Sequence, residues 1–124
     1  MTNTNLTYRK LPNENSIAIF ELEGEILAST DSEELAKEIS TLIEAEKIQI
    51  IFSLEKLNYI NSTGLNFIIS TFTKLRNAGG ELVICQVSQK VEDLLVITKL
   101  NTIFTSFKTL DEAIKNIDIK TINK

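Results

Sequence analysis

The residues of this chain best placed to do chemistry are the run Asn61-Ser62-Thr63-Gly64-Leu65. An apolar strand is predicted to end just before it, and an amphipathic helix to begin within it. Unpaired backbone N–H groups and the helix dipole both point outward at such a junction, which favours negative charge. A serine there can carry a phosphoryl group with little local strain, so Ser62 is the candidate acceptor. The plainer duty for the same side chain is capping. A Ser, Thr or Asn oxygen accepts a backbone N–H at a helix start and contributes about 1 kcal/mol. Gly64 raises a parallel choice. Glycine inside a first turn costs up to about 1 kcal/mol relative to alanine, so its presence implies close approach to the backbone, by a neighbouring strand or by a partner.

Composition removes most other chemistries. The chain has no histidine and a single cysteine, which excludes Ser–His–Asp and Cys–His catalysis, histidine-containing zinc sites and all-cysteine zinc clusters. No metal or cofactor is called for. The net charge of −4, with Lys and Arg scattered, leaves no footprint for nucleic acid or an anionic membrane. No stretch approaches the ~20 apolar residues that cross a bilayer. The polar start Met1-Thr2-Asn3-Thr4-Asn5 lacks the apolar core of a secretory leader. A lone Cys85, inside the apolar run Leu82-Val83-Ile84-Cys85, fits a reducing cytoplasm and a buried, inert thiol.

The elements that position the candidate residues follow from hydrophobic periodicity. Leu6–Leu11, the turn signal Pro12–Asn15 and Ile17–Leu22 read as a hairpin whose first, more polar strand lies at a sheet edge. Thr30-Asp31-Ser32-Glu33 has a capping-box pattern with Thr30 as the cap. Behind it, Leu35, Ala36, Ile39, Leu42 and Ile43 form one helical stripe, while Glu33, Glu34, Lys37 and Glu38 form a solvated face. Ile48–Leu54 and Leu82–Val87 read as central strands, apolar on both faces. Between them a helix buries Leu65, Ile68, Ile69, Phe72 and Leu75 and stops at Ala78-Gly79-Gly80. Phe67 falls off that stripe and is predicted to be exposed, as an anchor for a partner. Ser88 is positioned to cap a short helix with Val91, Leu94 and Leu95 inside. Ile103–Phe107 is a last strand, and the capping box Thr109–Glu112 opens a final helix. Strands alternating with helices make a single α/β domain over residues 1–124, with its core from about Leu6 to Ile117 and a polar tail beyond.

Other phosphate chemistry fits poorly. The chain has neither GxxxxGK[ST] nor GxGxxG, so no glycine-rich loop cradles a nucleotide. A response-regulator receiver needs an aspartate acceptor, and Asn61 stands at the candidate position. The segment Tyr59-Ile60-Asn61-Ser62-Thr63-Gly64-Leu65 instead resembles the signature of the STAS domain, specifically that of the bacterial anti-sigma factor antagonists. Its usual pattern is aspartate, serine, serine or threonine, glycine and leucine. Gly79-Gly80-Glu81-Leu82-Val83-Ile84-Cys85 is similar to the family's glycine turn into the next strand, and Gly24-Glu25-Ile26 to its passage from strand to helix. The order of elements agrees from about Leu6 to Ile117. Two positions depart: Asn61 replaces the aspartate, and Leu27 stands where an acidic residue is frequent.

The resemblance implies a mixed, mainly parallel sheet and a non-enzymatic, cytoplasmic switch. Such a protein binds an anti-sigma factor serine kinase, frees a sigma factor, is phosphorylated at Ser62 and is reset by a serine phosphatase. Asn61, Thr63, Gly64 and Leu65 would form the docking edge, with Phe67 beside them. The competing reading is a STAS module that never switches, a scaffold or structural subunit of a sensory or transport complex. An enzyme on this fold would have to manage without histidine or any convergent acid–base group.

Overall fold

A computed structural model describes residues 5–11 and 17–122, with side chains placed through Ile117. The elements run β1 (Leu6–Leu11), β2 (Ile17–Ile26), α1 (Ser29–Glu44), β3 (Gln49–Ile60), α2 (Ser62–Asn77), β4 (Glu81–Cys85), α3 (Gln89–Ile97), a 3-10 turn (Leu100–Thr102), β5 (Thr105–Phe107) and α4 (Leu110–Ile122). The five strands stand in the order β1-β2-β3-β4-β5. β1 pairs antiparallel with β2, and the remaining pairs are parallel. This is the mixed, mostly parallel sheet that the sequence predicts, with β1 at one edge and β3 and β4 inside. The turn Pro12–Asn15 lies outside the described residues.

Sequential strand order has a consequence for layering. A β-crossover-β connection is almost always right-handed, so successive crossovers in one direction place their helices on one face. Leu35, Ile39 and Leu42 of α1, Leu65, Ile68 and Leu75 of α2, and Val91 and Leu95 of α3 all meet Ala18, Phe20, Ile50, Phe52, Leu82 and Ile84 there. Among the described residues the opposite face is covered by one helix, α4, whose Ala113 and Ile117 pack on Ile17, Ile19, Ile51, Val83 and Cys85. The strict alternation of Ile17, Ala18, Ile19 and Phe20 between the two clusters is the period of two that a strand imposes. Beyond the reach of α4 that face turns polar. Arg9 and Lys56 pair with Glu21 at 3.0 and 3.5 Å.

Several local expectations are met. Glu112 N–H donates to Thr109 Oγ1 at 3.1 Å, the bond by which the Thr109 side chain caps α4, and the Thr109 hydroxyl donates to Glu112 Oε1 at 3.3 Å. α2 ends with Gly79 N–H on Arg76 O at 3.0 Å and Gly80 N–H on Leu75 O at 2.7 Å, a Schellman closure. Cys85 is buried and free, and burial pushes its thiol up to about 11. It is protonated at neutral pH and unsuited to nucleophilic work.

Others are corrected. The segment Glu55–Ile60 continues β3, with Leu57 and Ile60 buried and Glu55, Lys56, Asn58 and Tyr59 exposed. Register shifts against β2 between Glu21 and Glu23, and between Gly24 and Glu25, absorb the irregular alternation. Ser88 precedes α3 but its hydroxyl donates to Leu57 O at 3.1 Å instead of capping. The last strand is only Thr105–Phe107, because Leu100–Thr102 folds into a 3-10 turn that seats Phe104 against the core.

Phe67 is the larger correction. Its ring is part-buried, packs on the main core and stacks on Phe52 with centroids 6.3 Å apart and planes 12° from parallel. The apolar arc of α2 is therefore wider than the stripe drawn from Leu65, Ile68, Ile69, Phe72 and Leu75. Fully burying an aromatic contributes several kcal/mol, and Phe67 is only part-buried, so Phe67→Ala should cost about 2 kcal/mol. A thermal melt checks this. An unchanged melting temperature would mean that the stacked ring contributes nothing to stability.

Candidate functional site

The last residues of β2 and β3 are paired, Ile26 opposite Ile60. Because the strands are parallel, the chain leaves both at the same end of the sheet, and α1 and α2 begin side by side. Asn61 joins the two helix starts. Its N–H donates to Ile26 O at 3.3 Å. Its side-chain Oδ1 accepts from Thr63 N–H at 3.0 Å and Gly64 N–H at 3.2 Å, while Nδ2 donates to Leu27 O at 2.8 Å. Asn61 is thus the cap of α2, and Ser62 is its first helical residue. This corrects the expectation that the Ser62 hydroxyl caps.

The amide also accounts for asparagine at this position. One end must accept from the helix and the other must donate to the Leu27 carbonyl, and a carboxylate can only accept. Leu27 sits in the short loop before α1. Its contribution here is made by backbone groups, with the side chain half-buried.

Gly64 and Leu65 are buried. A Cβ built on Gly64 would lie 2.8 Å from Ile26 O and 2.9 Å from the Cβ atoms of both Ile26 and Ile60. The close approach that the glycine permits is therefore to the ends of β2 and β3. It lets the first turn of α2 settle directly on them. Ser62 is exposed, and among the described residues its Oγ has no hydrogen-bond partner. Thr63 is half-buried beside it, and Phe67 lies a turn further along α2.

The sequence reading missed Asp31. It is not the second residue of a capping box led by Thr30, which lies inside α1 with Ala28 as the cap. Asp31 is only 6% exposed. Its carboxylate accepts from Asn5 N–H at 2.8 Å, Leu27 N–H at 2.9 Å, Ala28 N–H at 3.0 Å and the Asn5 amide at 3.5 Å. These hydrogen bonds, led by the one from Asn5, hold its carboxyl below the ordinary value of 3.8 despite burial. An available signal was an aspartate three residues after a position with no capping side chain, where an N3 carboxylate reaches back to the N-cap N–H.

Among the described residues no group of acidic or thiol side chains could hold a metal ion. No helix there is long and apolar enough to cross a membrane.

The profile of the STAS domain family matches residues 8–113. The chain belongs to that family. A Bordetella bronchiseptica protein provisionally named anti-sigma factor antagonist BtrV is 29% identical over 83 residues, 67% of this chain and 71% of that one. The anti-sigma F factor antagonist of Paenibacillus polymyxa is 23% identical over 111 residues, 89% of this chain and 94% of that one. Among solved structures, the Bacillus cell fate determinant SpoIIAA in its phosphorylated form superposes with a TM-score of 0.72 at 20% identity, over 90% of this chain and 99% of that one.

Neighbouring residues at this site should respond differently to truncation. Asn61→Ala removes a cap with two accepted N–H groups and should cost about 1–2 kcal/mol. Ser62→Ala removes a solvent-facing hydroxyl and should stay within about 0.5 kcal/mol of the parent. Urea unfolding of both variants decides between the two caps; equal losses would return the capping role to Ser62.

Acid stability supplies a second measurement. The folded-state pKa of Asp31 lies below its unfolded value, so the ionised carboxylate contributes stability above the unfolded value. That contribution is lost as pH falls through the folded one. Melting temperature should therefore drop on acidification, beginning near 3.8 and continuing below it. Asp31→Asn should start less stable and show a shallower acid limb. An acid limb of unchanged depth in that variant would assign the effect to other carboxylates.

Proposed function

We propose that this protein is a cytoplasmic anti-sigma factor antagonist that acts by exchanging partners, with Ser62 as its phospho-acceptor. The observation that carries the reading is the exposed Ser62 hydroxyl, without a hydrogen-bond partner among the described residues, at the first position of a helix whose cap is supplied by a different residue. A hydroxyl with no structural duty can be modified without loss of fold. The positive end of α2 tolerates the roughly −1.5 to −2 charges that a phosphoryl group adds. The same charge in a tight protein interface opposes docking. The names of the Bordetella and Paenibacillus relatives support the regulatory role.

In this reading an anti-sigma factor serine kinase docks on the N-terminal turn of α2 and transfers a phosphoryl group to Ser62 Oγ, and a serine phosphatase removes it. Ser62, with the accessible parts of Asn61, Thr63 and Phe67, forms the contact surface. Gly64 and Leu65 act from beneath it, by fixing how closely the turn lies on the sheet. DNA and membrane are not partners.

The test is phosphoryl uptake. Protein isolated from its native cell should carry about 80 Da on the peptide containing Ser62, one phosphoryl group. Ser62→Ala should take up none from a kinase that co-purifies with it, while keeping its melting temperature. Unchanged uptake in that variant would move the acceptor elsewhere, to Thr63 first. A tight partner complex with no modification under any condition would favour the scaffold reading.

A further inference from the structure

The buried carboxylate of Asp31 is not used by the function proposed above, yet only Leu27 separates it from the residue that caps α2. It gathers the N–H groups of Asn5, Leu27 and Ala28 around one side chain. Leu27, held by its N–H, presents its carbonyl to Asn61 Nδ2 at 2.8 Å. The other end of that amide holds the Thr63 and Gly64 N–H groups. The hydrogen-bonded path Asn5–Asp31–Leu27–Asn61–Thr63 runs from the start of β1 to the first turn of α2.

From this path we propose that Asp31 is a positioning residue for the Ser62 site: it fixes the Leu27 carbonyl against which the Asn61 amide is oriented, and so sets the N-terminal turn of α2. The inference rests on Ser62 being the functional hydroxyl for its biological meaning, though not for its physical content.

Leu27 has few alternative anchors. Its loop is only Leu27 and Ala28, spanning the end of β2 and the start of α1. Without the carboxylate, the N–H groups of Leu27 and Ala28 would lack their partner in a part-buried place, and the loop would shift to find water. A shifted Leu27 carbonyl leaves Asn61 Nδ2 without its acceptor. The amide can then rotate, and the cap that it holds over Thr63 and Gly64 loosens. The path also reaches β1, because Asn5 O accepts from Glu25 N–H at 3.0 Å while Asn5 N–H is held by Asp31.

Hydrogen exchange on the isotope-labelled full-length chain separates positioning from general support. Asp31→Asn keeps the size of the side chain but replaces one acceptor with a donor. The control is Ile114→Ala, in the helix on the opposite face of the sheet, compared at conditions of equal stability. Exchange of the Thr63 and Gly64 amides should accelerate about tenfold more in Asp31→Asn than in the control, as a local opening rather than a global one. The Asn61 side-chain amide protons should move towards free-amide shifts. The converse variant, Asn61→Ala, should speed the Leu27 and Ala28 amides beyond the control.

Thr63 and Gly64 protection falling only as far as in Ile114→Ala would overturn the proposal. Should Asp31→Asn fail to fold, the Asn61→Ala measurement decides alone, and unaltered Leu27 and Ala28 protection would overturn it. None of these measurements involves a kinase, so loss of the acceptor role of Ser62 would leave them standing. Failure of the coupling would equally leave phosphoryl uptake untouched.

Discussion

The parallel pairing that sets Ile26 opposite Ile60 is the constraint on which the site depends. Parallel strands need a crossover between them, and each crossover returns the chain to the same end of the sheet. Two strands that finish level therefore launch two helices from adjacent points. Here the launch points are close enough for one asparagine to hydrogen-bond both. Had β3 ended at Leu54, as its most apolar stretch suggests, α2 would have begun about 20 Å earlier along the strand and Asn61 would not reach Leu27. The extension through Leu57 and Ile60, buried at intervals of three rather than two, is what carries Ser62 to the sheet end.

Close packing makes that arrangement rigid. With no room for a Cβ at Gly64, the first turn of α2 lies against Ile26 and Ile60 with no intervening side chain. Interiors packed at crystal-like density transmit small displacements instead of absorbing them. Phe67 stacked on Phe52, itself edge-on to Phe20, continues the contact from α2 across β3 to β2. The hydroxyl at position 62 is presented on a platform with backbone fixed beneath it and aromatic rings behind it.

Much of this was legible in the sequence, and the misses share a cause. Strand and helix order, the edge position of β1, both glycine signals and the Thr109 capping box are local patterns, and local patterns survive without coordinates. The roles of Asp31, Asn61 and Ser88 were missed because each lies in a cluster of short polar side chains near a helix start, where local patterns gave the caps to Thr30, Ser62 and Ser88. In the structure all three bond to residues remote in sequence or outside their own helix: Asp31 to Asn5, Asn61 to Leu27, Ser88 to Leu57. Propensity describes what a side chain can do for its own backbone and is blind to the tertiary contacts that these three make. Phe67 was misread for a different reason. The wheel gave a stripe of ordinary width, but a helix packed on β3 and β4 and beside α1 buries a broader arc than one touching a single neighbour.

Asn61 and Ser62 show how one of two adjacent polar residues can take the whole structural duty. A capping side chain is committed: its oxygen is occupied by Thr63 and Gly64 N–H groups and its amide by Leu27 O. Changing it disturbs the two helix starts. The next residue, Ser62, is the first in α2 and is exposed, its hydroxyl making no hydrogen bond among the described residues. Had Ser62 been the cap, any group added to its oxygen would have had to break the hydrogen bonds that start the helix, and modification would have acted against folding. Moving the cap one residue back removes that conflict. The asparagine amide then does what neither serine nor aspartate can do at that point, accepting on one side and donating on the other. Position 62 is left free to take a charge at the end of the helix where a charge of that sign is stabilised.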